Sequence, residues 1–519
     1  MLRDVRHHRL LRRPMVTAFA IATVVVGGWS SFATAQTSDG LSAAVALEQA
    51  LTQVIEQSES SVVAVARIRT APGELMIEGG GLLQRDGFAP GGRPRDLLPN
   101  QFATGVIVSP EQGEDRWILT AYHAVRGGPV YGQTGSGDGS RLEIRLPSRH
   151  VLSATLWAAD PRSDLAVLKL DYKDSGLRPN DLRPMPWATS AAVRKGQLVI
   201  VLGNPYWIAR DGSPSAGWGM VSNIARRPAS LVSELGSPQS LNALGGLIHL
   251  DYRLPIGTSG APVMNLKGEL VGLASSLAAI EGYERSGGFA TPIDPSTRWI
   301  VETLLSGYEV EYGFLGINPG RVPRLNASDG SRRSMQASAA IAEKVHPGSP
   351  ADAAGVRPQD VILAVNGEPT YSDLDLMRQV TLHPPGTTIR MTISRPRTAD
   401  ELTLNVKLGK WPVSDAEGVI ATQRKHPLWR GLAVDYSTAR LKFLTQDLQI
   451  MSAVLVTDVQ PNTPAQAALL EPGVFITHVN RQLVRTPAEF AEAVRAAKGP
   501  VTLSLHAPDG TPKQVVVAE

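Results

Sequence analysis

Two stretches in the C-terminal half of the chain repeat each other at a fixed distance, and this constrains the fold more than any other feature of the 519 residues. His346-Pro347-Gly348-Ser349-Pro350-Ala351 leads into Asp360-Val361-Ile362-Leu363-Ala364-Val365-Asn366-Gly367. Gln460-Pro461-Asn462-Thr463-Pro464-Ala465 leads in the same way into Val474-Phe475-Ile476-Thr477-His478-Val479-Asn480. Pro350 to Pro464 and Asn366 to Asn480 are both 114 positions apart. Each copy reads as a short helix, a strand and an Asn-Gly-type turn, so the chain ends in two small α+β units of one kind. The length suits about three domains, which leaves a larger domain of another type upstream.

That upstream part carries three polar residues, each beside a strand-like run. Thr120-Ala121-Tyr122-His123-Ala124-Val125 follows the run 116–119, which predicts a strand delivering His123 to a loop at its end. Asp160-Pro161-Arg162-Ser163-Asp164-Leu165-Ala166-Val167 places a carboxylate at the mouth of a buried strand. Gly257-Thr258-Ser259-Gly260-Ala261-Pro262 reads as a solvent-facing turn bearing Ser259. Taken singly, the glycines only make a turn, His123 is a packed or surface histidine and Asp164 caps a strand. Taken together they have a chemistry. A serine hydroxyl is a weak nucleophile until a base removes its proton, which makes His123 the candidate base. Asp164 would hold the imidazole in its working tautomer, and the N–H groups of Gly257 and Ser259 would face a developing oxyanion. The order His, Asp, Ser is that of chymotrypsin-type enzymes, not of subtilisins or α/β-hydrolases.

With these motifs the sequence resembles the HtrA (DegP-like) serine proteases over nearly the whole chain after residue 35. Gly203-Asn204-Pro205, Gly219-Met220-Val221-Ser222 and Gly288-Phe289-Ala290-Thr291-Pro292-Ile293 are similar to further family segments in the same order. Departures are Ala121, where the family usually has Asn, and Thr258-Ser259-Gly260-Ala261 in place of Asn-Ser-Gly-Gly. The resemblance implies a mainly β protein, with a chymotrypsin-like double β-barrel protease domain followed by two small α+β PDZ-like domains. It assigns the catalytic role to Asp164, with Asp160 dispensable, and makes Leu254 the candidate substrate-pocket residue. Phe314-Leu315-Gly316-Ile317 becomes the peptide carboxylate loop, where a PDZ domain adds a peptide to a sheet edge. The second copy replaces Gly355 and Asp360 by Leu469 and Val474, and its corresponding loop is Trp429-Arg430-Gly431-Leu432. The resemblance also implies unfolded or C-terminal peptide substrates and a homo-oligomer, a trimer or a multiple of one.

Composition suits an exported protein. Basic residues through Arg12-Arg13, an apolar run over 15–29 and Ala33-Thr34-Ala35 before Gln36 form a signal-peptide pattern. Contact with a membrane is expected only if this segment is retained as an anchor. Residues 1–35 carry a net +4, so the rest of the chain is close to −1 against a total of +3. Without a clustered basic face no nucleic-acid partner is expected. Cysteine is absent, which excludes a thiol nucleophile and a thiolate metal site, and no cofactor or metal is called for. The expected organisation is a signal peptide over 1–35, a helical segment over 36–60, protease domain over 61–305, and PDZ-like domains over 311–411 and 427–519. A Gly- and Pro-rich insertion between residues 70 and 100 is expected to be a long surface loop. The function expected is an envelope endopeptidase in protein quality control and stress response, in the periplasm or another exported compartment. A peptide-binding scaffold and a regulatory protease cutting one folded membrane substrate remain the alternatives.

Overall fold

In a computed structural model of the protein, the described residues are 29–69, 75–76, 82–83, 99, 101–110, 113–130, 139–188, 193–204, 208, 211–226, 241–275, 287–321, 339–398, 400–413, 423–424, 427–444, 452–506 and 512–519. Residues 1–28 of the expected signal segment, and nearly all of the insertion between 70 and 100, lie outside them. A helix runs from Trp29–Ser58, starting earlier than the expected segment. Its stripe of Leu47, Leu51, Val54 and Ile55 is the less exposed side, as the 3.6-residue period requires. No helix among the described residues is long and apolar enough to cross a membrane.

Two closed antiparallel barrels follow. The first contains β1 (Val62–Arg69), β2 (Gln101–Val108), β3 (Trp117–Ala121), β4 (Ser140–Arg145), β5 (Val151–Asp160) and β6 (Leu165–Asp171) in the order β1-β2-β3-β6-β5-β4. The second contains β7 (Leu198–Gly203), β8 (Ser215–Arg226), β9 (Leu247–Leu250), β10 (Pro262–Met264), β11 (Leu270–Ser275) and β12 (Gly288–Pro292) in the order β8-β9-β12-β11-β10-β7. Alternating side chains fill each interior: Val63, Ile107, Ile118, Ile144 and Leu168 in the first, Val199, Val201, Ile248, Val263 and Val271 in the second. β3 departs from simple alternation, with all five residues buried. Its outer face is covered by the turn at Gly260, where an added Cβ would lie 2.2 Å from the Thr104 carbonyl and 2.6 Å from Thr120 Oγ1.

A helix over Pro295–Leu305, N-capped by Asp294 through the Thr297 N–H at 2.9 Å, leads to two six-stranded sheets of one plan. In each, a one-turn helix is capped by a hydroxyl, Ser349 in the first and Thr463 in the second. A strand then turns at an asparagine of positive φ, Asn366 at 52° and Asn480 at 46°. A longer helix packs beneath, Asp373–Thr381 in the first and Pro487–Ala496 in the second. The architecture is thus mainly β, a chymotrypsin-like double barrel followed by two PDZ-like α+β units.

One ammonium group ties the first small sheet to its surroundings. Lys410 is fully buried, with Nζ 2.8 Å from Glu311 Oε1, 2.8 Å from Asp435 Oδ2 and 3.3 Å from Glu309 Oε2. Glu309 and Glu311 precede the first strand of the first small unit, Gly313–Phe314, Lys410 closes that unit and Asp435 lies on a strand of the second. Burial alone would lower the lysine pKa, but the three carboxylates outweigh it and raise the pKa above the ordinary value. Lys410→Met should therefore leave three facing carboxylates without the ammonium group they share and destabilise the protein by about 3–5 kcal/mol, read as a lower denaturant midpoint. Because the folded-state pKa is raised, the lysine's contribution is complete at neutral pH. It should fade only as pH climbs past the unfolded value toward the folded one, so parent and variant converge in strong alkali.

Candidate active site

His123, Asp164 and Ser259 come together where the two barrels meet. β3 ends at Ala121, and His123 sits on a single helical turn, Tyr122–Val125, where the sequence suggested a loop. The turn forms because the Tyr122 N–H donates to the Asp164 carbonyl at 2.9 Å and the His123 N–H to Asp164 Oδ1 at 2.9 Å. The other carboxylate oxygen, Oδ2, lies 2.7 Å from His123 Nδ1. His123 Nε2 is 3.1 Å from Ser259 Oγ. A proton route therefore runs from a hydroxyl through an imidazole oriented by a carboxylate. Asp164 adopts φ 58°, a left-handed conformation uncommon for a residue with a side chain.

Ser259 belongs to a turn whose backbone bonds are specific. The N–H groups of Thr258, Gly260 and Ala261 donate to Pro255, Ala274 and Thr258 carbonyls. Gly257 reverses the chain at φ 93°, and a Cβ there would lie 2.5 Å from the Asn204 carbonyl and 2.7 Å from the Phe102 ring. Only glycine fits both demands. The expectation of a solvent-facing serine is corrected: Ser259 is fully buried, while His123 retains 14% of its side-chain exposure. Crowding of the turn by Phe102, Asn204, Thr104 and Thr120 accounts for this. Leu254 is buried in the second-barrel cluster and faces Gly288, where an added Cβ would lie 2.5 Å from its Cγ.

Sequence reasoning missed Thr104. Its N–H donates to the Ser259 carbonyl at 2.9 Å and its Oγ1 donates to the Gly257 carbonyl at 2.8 Å. The same Oγ1 accepts from the Asn204 N–H at 2.9 Å, and the Thr104 carbonyl accepts from Thr120 Oγ1 at 2.7 Å. A threonine in a β-branched strand gives no local sign of this role. Asp160 is also more than the spare carboxylate expected from sequence. It is 2% exposed and accepts from Arg162 Nε at 2.9 Å, the Ser163 N–H at 3.0 Å and the Tyr312 hydroxyl.

The candidate carboxylate loop lies at the open edge of the first PDZ-like sheet. The strand Ile317–Arg321 is terminal in its sheet, and a cleft of about 210 Å³ separates it from the helix Asp373–Thr381. Phe314, Leu315, Gly316, Ile317 and Met377 line the cleft, together with Trp411, Pro412 and Leu441. Gly316 has φ 81°, and a Cβ there would lie 2.3 Å from Ser349 Cβ. In the second copy Trp429 bonds Leu432 in both directions and stacks edge-on against Phe490 at 5.7 Å. Phe490 stands 114 positions after Leu376 and Trp429 the same distance after Leu315, so an aromatic pair stands where the first copy has two leucines. Val474, replacing the buried Asp360 that pairs with Arg395 at 2.8 Å, packs partly buried on the core.

Thr104→Val keeps the shape of the strand while removing one donor and one acceptor from a buried seam. Each unsatisfied partner costs about 1–3 kcal/mol. A lowered denaturant midpoint, together with slower cleavage of a short peptide, is the expected result.

The profile of the trypsin-like peptidase domain matches residues 103–273, and that of the PDZ domain matches 341–395. The "Probable periplasmic serine endoprotease DegP-like" of Hahella chejuensis is 30% identical over 408 residues, which is 78% of this chain and 76% of that protein. The protein of the same description from Rhizobium meliloti is 28% identical over 414 residues, 80% and 74% of the two chains. Its counterpart in Pseudomonas fluorescens is 27% identical over 474 residues, 86% and 88%. Among solved structures, the HtrA-type protease AlgW with tripeptide aligns with TM-score 0.48 at 20% identity, covering 70% of this chain and 98% of its own. The relatives and the two domain profiles together place the chain in the HtrA (DegP-like) family of serine endoproteases with PDZ domains.

Proposed function

We propose that the protein is an exported envelope endopeptidase that cleaves unfolded or mislocalised proteins with Ser259 as nucleophile, His123 as general base and acid, and Asp164 as its orienting carboxylate. The continuous contact from Asp164 Oδ2 through His123 to Ser259 Oγ carries this reading. Ser259 Oγ attacks the scissile carbonyl as its proton passes to His123 Nε2. Asp164 stays ionised and balances the imidazolium. The oxyanion faces the N–H groups of Gly257 and Ser259, and His123 then returns the proton to the leaving amine. A water activated by the same imidazole releases the acyl group. Leu254 borders the pocket for the residue before the cleaved bond.

The relatives' description as periplasmic supports an exported compartment, with residues 1–35 as the signal peptide. Protease and PDZ-like domains over 61–305, 311–411 and 427–519 belong to the same reading, as does assembly into a trimer or a multiple of one. The first PDZ-like domain captures C-terminal peptides along Ile317–Arg321, its carboxylate at Phe314-Leu315-Gly316. Trp429 and Phe490 leave the second without this role.

Ser259→Ala should abolish casein digestion and labelling by a fluorophosphonate while preserving the fold. Near-parental digestion would sink the nucleophile assignment, whereas a parent that neither digests casein nor takes the label would favour the scaffold alternative. Asp164→Asn should lower turnover by about 10⁴ by leaving the imidazole in the wrong tautomer.

Gly316 is unsuitable for testing peptide capture because any side chain there meets Ser349. Met377→Glu instead sets a carboxylate in the cleft against the peptide's own. It should raise KM for long unfolded chains and leave short peptides cut at the parental rate. Equal loss on both substrates would refute a role confined to capture.

A further inference from the structure

Among the buried polar groups that the triad reading leaves unused is a cluster of Asp160, Arg162 and Tyr312. We propose that Tyr312 is a positioning residue for proteolysis, acting through Asp160 on the turn that carries Asp164. The inference rests on the assignment of Asp164 to the triad.

The turn comprises four residues, 161–164, between the cross-strand partners Asp160 and Leu165. It ends at Asp164 in the left-handed conformation, φ 58°. Such a residue keeps its geometry only while its surroundings hold it there. On one side the hold comes from the Tyr122 and His123 N–H groups. On the other it comes from Asp160, whose Oδ2 accepts the N–H of Ser163, the residue before Asp164, at 3.0 Å. Ser163 Oγ also donates to the Asp160 carbonyl at 3.3 Å. The direction of the Asp160 carboxylate therefore sets the last link before Asp164.

Two groups set that direction. Arg162 Nε donates to Oδ1 at 2.9 Å, and the Tyr312 hydroxyl donates to Oδ2. Tyr312 is fully buried and held on several sides. Trp299 meets its ring edge-on at 6.1 Å, the Arg162 guanidinium lies 4.5 Å from the ring centroid, and the Tyr312 carbonyl accepts from the Trp411 N–H at 2.7 Å. Arg162 is fixed in turn by donating to the Val310 carbonyl at 2.6 Å. Burial, with the Asp160 charge, pushes the Tyr312 phenol well above its ordinary pKa, so the donor proton remains in place wherever the enzyme works. The prop is supplied by the chain that follows the second barrel, 148 residues after the turn it steadies.

Tyr312→Phe removes the hydroxyl and keeps the ring contacts. Fluorophosphonate titration would count working sites, so loss of folded protein does not enter the rate. Per titrated site, kcat on a short peptide should fall on the order of tenfold, with KM unchanged, since a displaced catalytic group loses rate and not affinity. The acidic limb of the kcat/KM profile should move to lower pH, because a less well placed Asp164 supports the imidazolium less. Asp160→Asn should give the same signature, and combining it with Tyr312→Phe should add little. Parental kcat per titrated site and a parental acidic limb in Tyr312→Phe, with only a lowered denaturant midpoint, would make Tyr312 merely structural and overturn the proposal. Failure of the triad reading is separately visible, since Ser259→Ala would then stay active.

Discussion

A distance of 3.1 Å between His123 Nε2 and Ser259 Oγ has to be maintained across a boundary between two independently closed barrels. Neither barrel alone holds this arrangement: His123 and Asp164 leave the ends of β3 and β5, while Ser259 precedes β10. Hydrophobic filling of the two interiors is non-directional and sets this distance only coarsely. Directional bonds do the rest. Thr104 on the first barrel engages the Gly257 and Ser259 carbonyls of the serine turn, and its hydroxyl also takes the Asn204 N–H from the end of β7. The close fit at this boundary also explains why the serine lies fully buried.

The position of Asp164 is a second requirement, met by backbone geometry as much as by charge. One carboxylate serves both the His123 N–H and Nδ1, so the same group folds the helical turn and orients the ring. This double use needs the side chain to leave the strand end at an unusual angle, which the positive φ provides. Holding that angle requires a built turn, and the buried pair of Asp160 and Arg162 forms its floor.

Much of this was legible in the sequence for reasons that can be named. The three motifs are local, each a short polar punctuation next to an apolar run, and their order along the chain selects one topology. The repeat was legible because Pro350 and Pro464, and Asn366 and Asn480, occupy positions with special backbone demands, a helix start and a left-handed turn. What escaped was non-local. Thr104 acts on residues 153 and 155 positions away, and nothing in Ala103-Thr104-Gly105 distinguishes it from an ordinary inward strand residue. Asp160 looked redundant because two carboxylates four apart compete for one role on paper, whereas in space they have different partners. The second PDZ-like loop, Trp429-Arg430-Gly431-Leu432, is legible locally, but the contact of its Trp429 with Phe490 is one that spacing alone does not reveal.

The junction after the second barrel illustrates how a covalent boundary and an energetic one can differ. The helix Pro295–Leu305 finishes the catalytic half as a stretch of secondary structure, yet Glu309, Val310, Glu311 and Tyr312 are bonded to groups on both sides of it. A PDZ-like unit grafted from a relative immediately after residue 305 would arrive with its own residues at these four positions. Arg162 and Asp160 would then face an unmatched linker. Module exchange in this protein therefore has its workable joint beyond Tyr312 on the catalytic side, with Lys410 and Asp435 transplanted only as a pair.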